Sequence, residues 1–437
     1  MSNAEMLESM SPELREVARR AKSRPEARFF SLAHLIDVSA LERAYRGIRK
    51  EAAVGVDGVT KEEYGQELEH NLRDLHERMK SKRYRHQPIL RVHIPKDDGT
   101  TRPIGIAALE DKVVQRAVAE VLEAVYEQDF LDCSYGFRRG RSAHDAVRAI
   151  DRVVGEGEAR WILETDVAAF FDSIDRKMLM KMLRIRIADG SLLRLVGKCL
   201  HVGVLDGEEY SEPDEGTAQG SSLSPLLGNI YLHYVLDLWF EREVRPRLRG
   251  SAELIRFADD LVIGFEHQED ARRVMEVLPK RMRRYGLTLH PDKTRLLRFG
   301  PPDRRQQGGK GPATFDFLGF CFYWRRDRRG RWRMWCKTRH ARRRRALRSI
   351  AGWCRRYRHL SVAVQHDALR RRIQGHFNYY GVNGNFRQLK LFVEEVRRIW
   401  LKWLRRRSQR TRLTWERYVE LLARFPLPRP RILVQIW

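Results

Sequence analysis

Apolar and polar residues alternate in a way that predicts a β-hairpin over residues 254–265. Residues 254–257 and 261–265 are rich in β-branched and aromatic side chains, which favours strands. Ala258, Asp259 and Asp260 lie between them and are few enough to form a tight turn. Two adjacent aspartates are tolerable in such a turn if water solvates both or if a divalent cation lies beside them. Taken alone, the pattern favours the solvated surface turn.

A second apolar run ends at a residue with a carboxylate side chain. Residues 161–166 predict a strand that ends at Asp166, followed by a helix that begins there and runs through Ile174 and Leu179. If the two strands are neighbours in one sheet, Asp166 and Asp259 come together at its edge. Carboxylates placed in this way can hold two metal ions that activate a primer 3′-oxygen and stabilise a leaving pyrophosphate. The pair therefore indicates the chemistry that polymerases perform.

The N-terminal part of the chain combines helical periodicity with a second predicted hairpin. Residues 1–80 predict helices broken by a turn, after which Thr60 is placed to cap a helix that carries Glu63 at the capping-box position. Residues 90–106 alternate around an Asp-Asp-Gly turn and predict a hairpin that carries Lys96 and Arg102. The Lys96 ammonium is a point charge and the Arg102 guanidinium can bind two oxygens at once, so together they suit a polyphosphate. The alternative is a surface hairpin whose charged side chains are simply solvated.

Aromatic residues stand out at two further places. Residues 133–141 interrupt a helical pattern and interleave aromatic side chains with arginines. Tyr135 and Phe137 are placed either to stack on nucleic-acid bases or to fill the core, and the sequence leaves both open. Trp400 and Trp403 have helical spacing, which favours packing over base stacking.

The positive charge is concentrated in the last third of the chain. The 437 residues carry a formal charge of +27. Residues 1–300 contain 49 basic and 50 acidic groups, whereas residues 301–437 contain 36 basic and 8 acidic groups. Such segregation is typical of an electrostatic surface for a phosphate backbone, so the expected partner is a nucleic acid.

The cysteines and the hydropathy pattern exclude two other classes of protein. The five cysteines form no Cys-x-x-Cys pair and no closely spaced framework, which predicts a reduced, cytoplasmic chain. No apolar run is long enough for a membrane span, and no signal-peptide pattern opens the chain. The sequence therefore predicts neither a disulfide-stabilised secreted domain nor a membrane protein.

Several blocks together resemble a known family. Phe257-Ala258-Asp259-Asp260 and the segment from Asp166 to Asp172 are similar to the catalytic core of reverse transcriptases, specifically of the bacterial group II intron-encoded reverse transcriptase and maturase. Further blocks follow the family's order and spacing over nearly the whole chain, at residues 94–106, 134–138, 216–227, 286–294, 315–320 and 375–381. This many blocks in order make coincidence very unlikely. The chain departs from the family at Ala218, where proline is common, and at Phe257, where tyrosine is common.

The resemblance implies an α+β protein shaped like a right hand. It implies an N-terminal extension and fingers of helices and hairpins over residues 1–160, an antiparallel-sheet palm over 161–330, and an all-helical, basic thumb or maturase domain over 331–437. Many relatives continue into a His-Asn-His endonuclease with cysteine pairs. Because no cysteine follows Cys354, we expect that domain to be absent.

The resemblance also implies an activity and its cofactors. The expected enzyme is an RNA-directed DNA polymerase with Asp166, Asp259 and Asp260 as catalytic residues. Two Mg²⁺ ions, for which Mn²⁺ can substitute, would be held by Asp166, Val167 and Asp259. Lys96, Arg102, Phe171, Gln219 and Lys293 would bind the incoming nucleotide, and the ring of Phe171 would exclude a ribose 2′-hydroxyl.

The implied partners are intron or template RNA, a DNA primer and deoxynucleoside triphosphates. No membrane is expected, and a homodimer is left open. The predicted nucleic-acid contacts are all arginines, namely Arg138, Arg342, Arg343, Arg344, Arg345, Arg405, Arg406 and Arg407.

Three other functions share some of these sequence features. A maturase that binds RNA without polymerising predicts a broken metal site, whereas Asp166, Asp259 and Asp260 are all present. A domesticated reverse transcriptase in DNA repair or phage defence has the same sequence features, and only a neighbouring intron would separate the two. An RNA-dependent RNA polymerase is disfavoured because the bulky Phe171 opposes a ribose.

Overall fold

The computed structural model describes residues 10–95, 101–207, 209–211, 215–217, 220–302, 313–407 and 413–436. They form a mixed structure of helices and sheets, as the predicted α+β class requires. The chain divides into two compact units, one of Met1–Ala143 with Leu163–Leu296 and one of His144–Ile162 with Leu297–Trp437. The division into fingers, palm and thumb stays a prediction.

The helices of the described residues follow this order: α1 (Pro12–Ser23), α2 (Val38–Arg46), α3 (Lys61–Tyr64), α4 (Leu68–Lys80), α5 (Leu109–Tyr126), α6 (Ala143–Ile150), α7 (Arg176–Arg186), α8 (Gly190–Leu200), α9 (Ser224–Leu232), α10 (Gln268–Arg283), α11 (His340–Arg356), α12 (Val362–Tyr380), α13 (Phe386–Leu404) and α14 (Trp415–Arg424). Several begin where the sequence supplies a cap. The predicted capping box is confirmed, since Thr60 and Glu63 each accept a backbone N–H of the other. In the described part of the chain, no helix is both long and apolar enough to cross a bilayer.

The strands are β1 (Ile89–Pro95), β2 (Thr101–Ile106), β3 (Trp161–Ala168), β4 (Val204–Asp206), β5 (Glu209–Ser211), β6 (Ala252–Phe257), β7 (Asp260–Phe265), β8 (Thr288–Leu289), β9 (Arg295–Arg298), β10 (Phe315–Phe317), β11 (Phe320–Arg326) and β12 (Trp332–Thr338). They form three sheets, with the orders β2-β1-β4-β5, β6-β7-β3-β8 and β10-β11-β12, and β9 also pairs with β3.

Both predicted hairpins are confirmed. Strands β6 and β7 pair antiparallel with Phe257 opposite Asp260, so the turn consists of Ala258 and Asp259. We call it the catalytic turn after the predicted role of Asp259. Strands β1 and β2 pair antiparallel with Pro95 opposite Thr101. Residues 96–100, which join β1 to β2, lie outside the described residues.

The prediction for the segment after Asp166 was wrong. Strand β3 continues to Ala168 because Val167 and Ala168 pair with Leu289 and Thr288 of β8. Ala169 then adopts a left-handed backbone conformation with φ +45°, which ends the strand. The next α-helix, α7, begins only at Arg176. Asp166 therefore lies inside a strand and not at a strand-to-helix junction.

The prediction that residues 331–437 are all helical was also wrong. Strand β12 occupies Trp332–Thr338 and pairs with β11, and from Met334 onward its side chains alternate between buried and partly buried positions. Residues 425–436, after α14, contain no helix. Helices α11 to α14 pack around a core in which Trp400 is fully buried and Trp403 is partly buried. The assignment of both tryptophans to packing is confirmed.

Candidate active site

The catalytic turn lies beside the strand that carries Asp166. Strand β7 is flanked by β6 and by β3, so the predicted neighbourhood of the two strands is confirmed. The negative charge of Asp166 acts on the Asp259 carboxyl, which places the two groups within electrostatic range of each other. The fold thus brings together two carboxylates that are far apart in the sequence.

The two carboxylates lie in different local environments. Burial is the main cause that raises the pKa of Asp259 above its ordinary value, and the charge of Asp166 adds to it. Arg102 and Lys293 lower the pKa of Asp259, so both cations lie near enough to act on it. The Lys293 ammonium contacts Asp166 Oδ2, and the two side chains are 57% and 13% exposed, respectively.

This donor set fits a divalent cation. No group of three or more His, Cys, Asp or Glu side chains suited to a metal occurs among the residues that the structure describes. Mg²⁺, however, is usually held by one or two carboxylates together with waters and substrate phosphates. Asp259 and Asp166 supply such carboxylates, and Val167, which is buried next to Asp166, could contribute only its backbone carbonyl.

Asp260 differs from the other two aspartates. It begins β7, opposite Phe257, and its side chain is exposed. The predicted catalytic role of Asp260 stays a prediction, and we expect Asp166 and Asp259 to contribute more.

The partly buried charge of Asp259 predicts an effect on stability. Because its pKa is raised in the folded protein, the free energy of unfolding falls as the pH rises through that folded pKa. In metal-free protein at pH 7, Asp259→Asn should therefore raise Tm by a few degrees. The gain should shrink at pH values below the folded pKa, where wild-type Asp259 is also neutral.

Thermal unfolding with a chelator measures this effect, and Asp292→Asn is the matched control. Asp292 lies in the same unit and is exposed at the surface, so its neutralisation should leave Tm unchanged. A Tm of Asp259→Asn equal to or below that of wild type at pH 7 would contradict the prediction.

Phe170 and Phe171 occupy different positions although they are adjacent. Their ring centroids are 5.2 Å apart. Phe170 is 4% exposed and belongs to the core, whereas Phe171 is partly exposed. The Phe171 carbonyl accepts a hydrogen bond of 2.7 Å from the Thr217 N–H, so the block that begins at Gly216 packs on this segment. Of the two rings, Phe171 is the one available to a substrate.

Some predicted substrate contacts cannot be placed. Lys96 and Gln219 lie outside the described residues, so the structure describes only Arg102, Phe171 and Lys293 of that set.

The structure distinguishes Tyr135 from Phe137, for which the sequence left base stacking and core packing both open. Tyr135 is buried, so it fills the core. Phe137 is 57% exposed, adopts φ +56° and lies 6.4 Å, between ring centroids, from Phe257. Only Phe137 of the two therefore presents an aromatic surface near the catalytic turn.

The predicted nucleic-acid arginines fall into three groups. Arg138 is buried, forms an ion pair with Glu127 at 2.8 Å and donates to the carbonyls of Leu131 and Ser134, which favours a structural role. On α11, Arg343 turns inward and donates to Gln388 Oε1 at 2.7 Å. The remaining predicted arginines are exposed, namely Arg342, Arg344 and Arg345 on α11 and Arg405, Arg406 and Arg407 after α13. Contact of all these residues with nucleic acid stays a prediction.

The sequence pattern alone did not single out Arg256, Asp237 and Asn229, which lie behind the catalytic turn. Arg256 and Asp237 form a fully buried ion pair. A charged residue in an otherwise apolar strand, at a position that should face the core, is the signal that could have identified Arg256.

Comparison with known proteins defines the class. Residues 94–322 match the family described as "Reverse transcriptase (RNA-dependent DNA polymerase)", which is more than half of the chain. The chain therefore belongs to the reverse transcriptase family. The predicted enzyme class, an RNA-directed DNA polymerase, is confirmed. Reverse transcriptases bind an RNA template and a DNA primer and generally use divalent metal ions.

Within that family, the chain is similar to group II intron-encoded proteins, which confirms the predicted resemblance. It is 33% identical over 267 residues to group II intron-encoded protein LtrA of Lactococcus lactis subsp. cremoris, a match that covers 59% of this chain and 44% of LtrA. It is 35% identical over 278 residues to protein YkfC of Escherichia coli (strain K12), a match that covers 55% of this chain and 71% of YkfC. The chain thus spans less than half the length of LtrA.

Proposed function

We propose that this chain copies RNA into DNA for a group II intron and that it also binds the intron RNA as a maturase. The observation that carries the polymerase assignment is the placement of Asp166 and Asp259 by neighbouring strands, with Arg102 and Lys293 acting on the same site. The similarity to LtrA supports the intron as the source of the RNA.

Each side chain of the site has a separate task in this proposal. Asp166, Asp259 and the Val167 carbonyl would hold two Mg²⁺ ions, with Mn²⁺ as a substitute. When bound, such ions increase the acidity of the primer 3′-hydroxyl and stabilise the charge of the leaving pyrophosphate. Arg102 and Lys293 would offset the charge of the incoming triphosphate, and the exposure of Lys293 leaves its ammonium accessible to that substrate.

In this proposal, Phe171 selects deoxynucleotides over ribonucleotides. Its partly exposed ring, supported by the buried Phe170, would lie under the sugar and disfavour a 2′-hydroxyl. Deoxynucleoside triphosphates are therefore the proposed substrates, with Lys96 and Gln219 as further proposed contacts.

Primer extension on an RNA template tests the function directly. We expect wild-type protein to extend a DNA primer with deoxynucleotides and Mg²⁺, and a chelator to stop the reaction. Tight RNA binding without extension would instead support a maturase that does not polymerise.

The exposed arginines of α11 support a phosphate-binding surface in the second unit. If Arg342, Arg344 and Arg345 each contact one phosphate, their joint replacement by glutamine should reduce the slope of log affinity against log salt by about 2 units for single-stranded RNA. Arg343→Gln is the matched control, because Arg343 is directed toward Gln388 and should change the slope little.

A salt titration on intron RNA and on an unrelated RNA of equal length measures this slope. The loss should be similar on both RNAs because phosphate contacts carry little base information. An unchanged slope for the triple variant would show that these arginines do not contact RNA phosphates.

Two further parts of the proposal concern the protein as a whole. The five cysteines are free thiols, which supports the proposed cytoplasmic location. Whether the protein acts as a homodimer stays open, and sedimentation with and without RNA would decide it.

A further inference from the structure

Arg256 lies in β6, two residues before Ala258 of the catalytic turn, and its side chain is completely buried. A buried guanidinium is costly unless its donors find acceptors. Its Nε and Nη2 reach the two carboxylate oxygens of Asp237 at 2.8 and 2.5 Å. The other donors reach Asn229 Oδ1 at 3.0 Å, Ser134 Oγ at 2.8 Å and the Ala258 carbonyl at 3.1 Å. All five N–H groups of the Arg256 guanidinium therefore have an acceptor.

One of these acceptors belongs to the catalytic turn. Ala258 has φ +57°, a left-handed conformation that residues other than glycine disfavour. Its carbonyl accepts from Arg256, and the next residue is Asp259. The guanidinium thus stabilises the strained residue whose backbone directs the catalytic carboxylate.

The same network fixes the turn from its other side. The Arg256 N–H donates to the Cys133 carbonyl and the Tyr135 N–H donates to the Arg256 carbonyl, both at 2.8 Å. The Asn229 amide, which accepts from Arg256, donates to the Gly136 carbonyl at 2.7 Å. A Cβ at Gly136 would lie 2.4 Å from the Ala258 nitrogen, so the turn has no free space on this side.

We propose that Arg256 and Asp237, with Asn229, position the catalytic turn for nucleotide addition. They are positioning residues, because they act on Asp259 through the backbone of Ala258. The alternative is that the ion pair only stabilises the fold. The inference rests on the proposed polymerase function, because the expected effect of changing these residues is slower nucleotide addition.

Arg256→Lys tests this inference. Lysine keeps the charge but lacks the planar fork, so it cannot bind all of these acceptors. The matched control is Arg186→Lys in the same unit. Arg186 is also buried, pairs with Asp129 at 2.9 Å and donates to the carbonyls of Ala21 and Ala27 at 3.2 and 2.9 Å, all outside the catalytic turn.

Three quantities should be measured for both variants: the single-turnover rate of nucleotide addition to a bound primer, the Mg²⁺ concentration that gives half of that rate, and Tm. We expect both variants to lower Tm. Only Arg256→Lys should slow addition, on the order of 10²-fold, because a small displacement of a reacting group has effects of that size. It should also raise the half-saturating Mg²⁺ concentration, while its affinity for primer and template stays unchanged.

Two results would overturn the inference. One is an equal effect of Arg256→Lys and Arg186→Lys on the rate per folded molecule, and the other is an unchanged Mg²⁺ dependence in both. If Arg256→Lys does not fold, Asn229→Ala replaces it, and wild-type kinetics in folded Asn229→Ala would equally overturn the inference. An inactive wild type would instead overturn the proposed function, and this inference with it.

Discussion

Asp259→Ala should abolish primer extension, with a loss of rate of at least about 10³-fold, which corresponds to about 4 kcal/mol of transition-state stabilisation. The reason is that neighbouring strands bring Asp259 and Asp166 together, and we propose that these two carboxylates hold the metal ions. Asp166→Ala should behave in the same way, and Asp260→Ala should lose less activity because Asp260 is exposed.

The affinity for RNA should remain nearly unchanged in these variants. The basic excess lies in residues 301–437, whereas both carboxylates belong to residues 1–300, which have almost no net charge. The control is Asp292→Ala, which removes an exposed carboxylate beside Lys293 and should retain full extension. Comparable extension by wild type and Asp259→Ala, measured under single-turnover conditions with saturating primer and template, would refute the site.

Phe171→Ala should admit ribonucleotides. Removal of the partly exposed ring would relieve the clash with a 2′-hydroxyl, and the ratio of efficiencies for ribo- over deoxynucleotides should rise by roughly 10²-fold, since misfit of one small group in a pocket has effects of this order. The measurement compares kcat/KM for matched ribo- and deoxynucleoside triphosphates on one primer and template.

The structure supplies two controls for this experiment. Phe171→Tyr keeps the ring and should keep the preference for deoxynucleotides. Phe170→Ala removes a core ring and should instead destabilise the protein by about 3–5 kcal/mol. If the ratio does not change in Phe171→Ala, nucleotide selection depends on another residue.

Some features of this protein were predictable because their causes are local. The hairpin of β6 and β7 follows from alternation with a period of two and from a short turn between the strands. The capping box of Thr60 and Glu63 depends on residues three apart, and the packing of Trp400 depends on helical spacing. The pairing of Asp166 with Asp259 was predicted from two apolar runs that each meet a carboxylate, and the family resemblance then supported it, although the residues between them give no local signal of their proximity.

Only the tertiary structure decided the features that depend on distant partners. Strand β3 passes Asp166 because β8, far along the chain, supplies pairing partners for Val167 and Ala168. Arg343 turns inward because α13 places Gln388 beside it, whereas its neighbours on α11 remain exposed. Arg256 is buried because Asp237, Asn229 and Ser134 converge on it from separate segments. The sequence by itself determined which residue types are available for catalysis and for phosphate binding. An arginine is held inside the protein only where the folded chain brings acceptors within hydrogen-bonding distance of it. The arginines that are not held in this way stay exposed and accessible to a ligand.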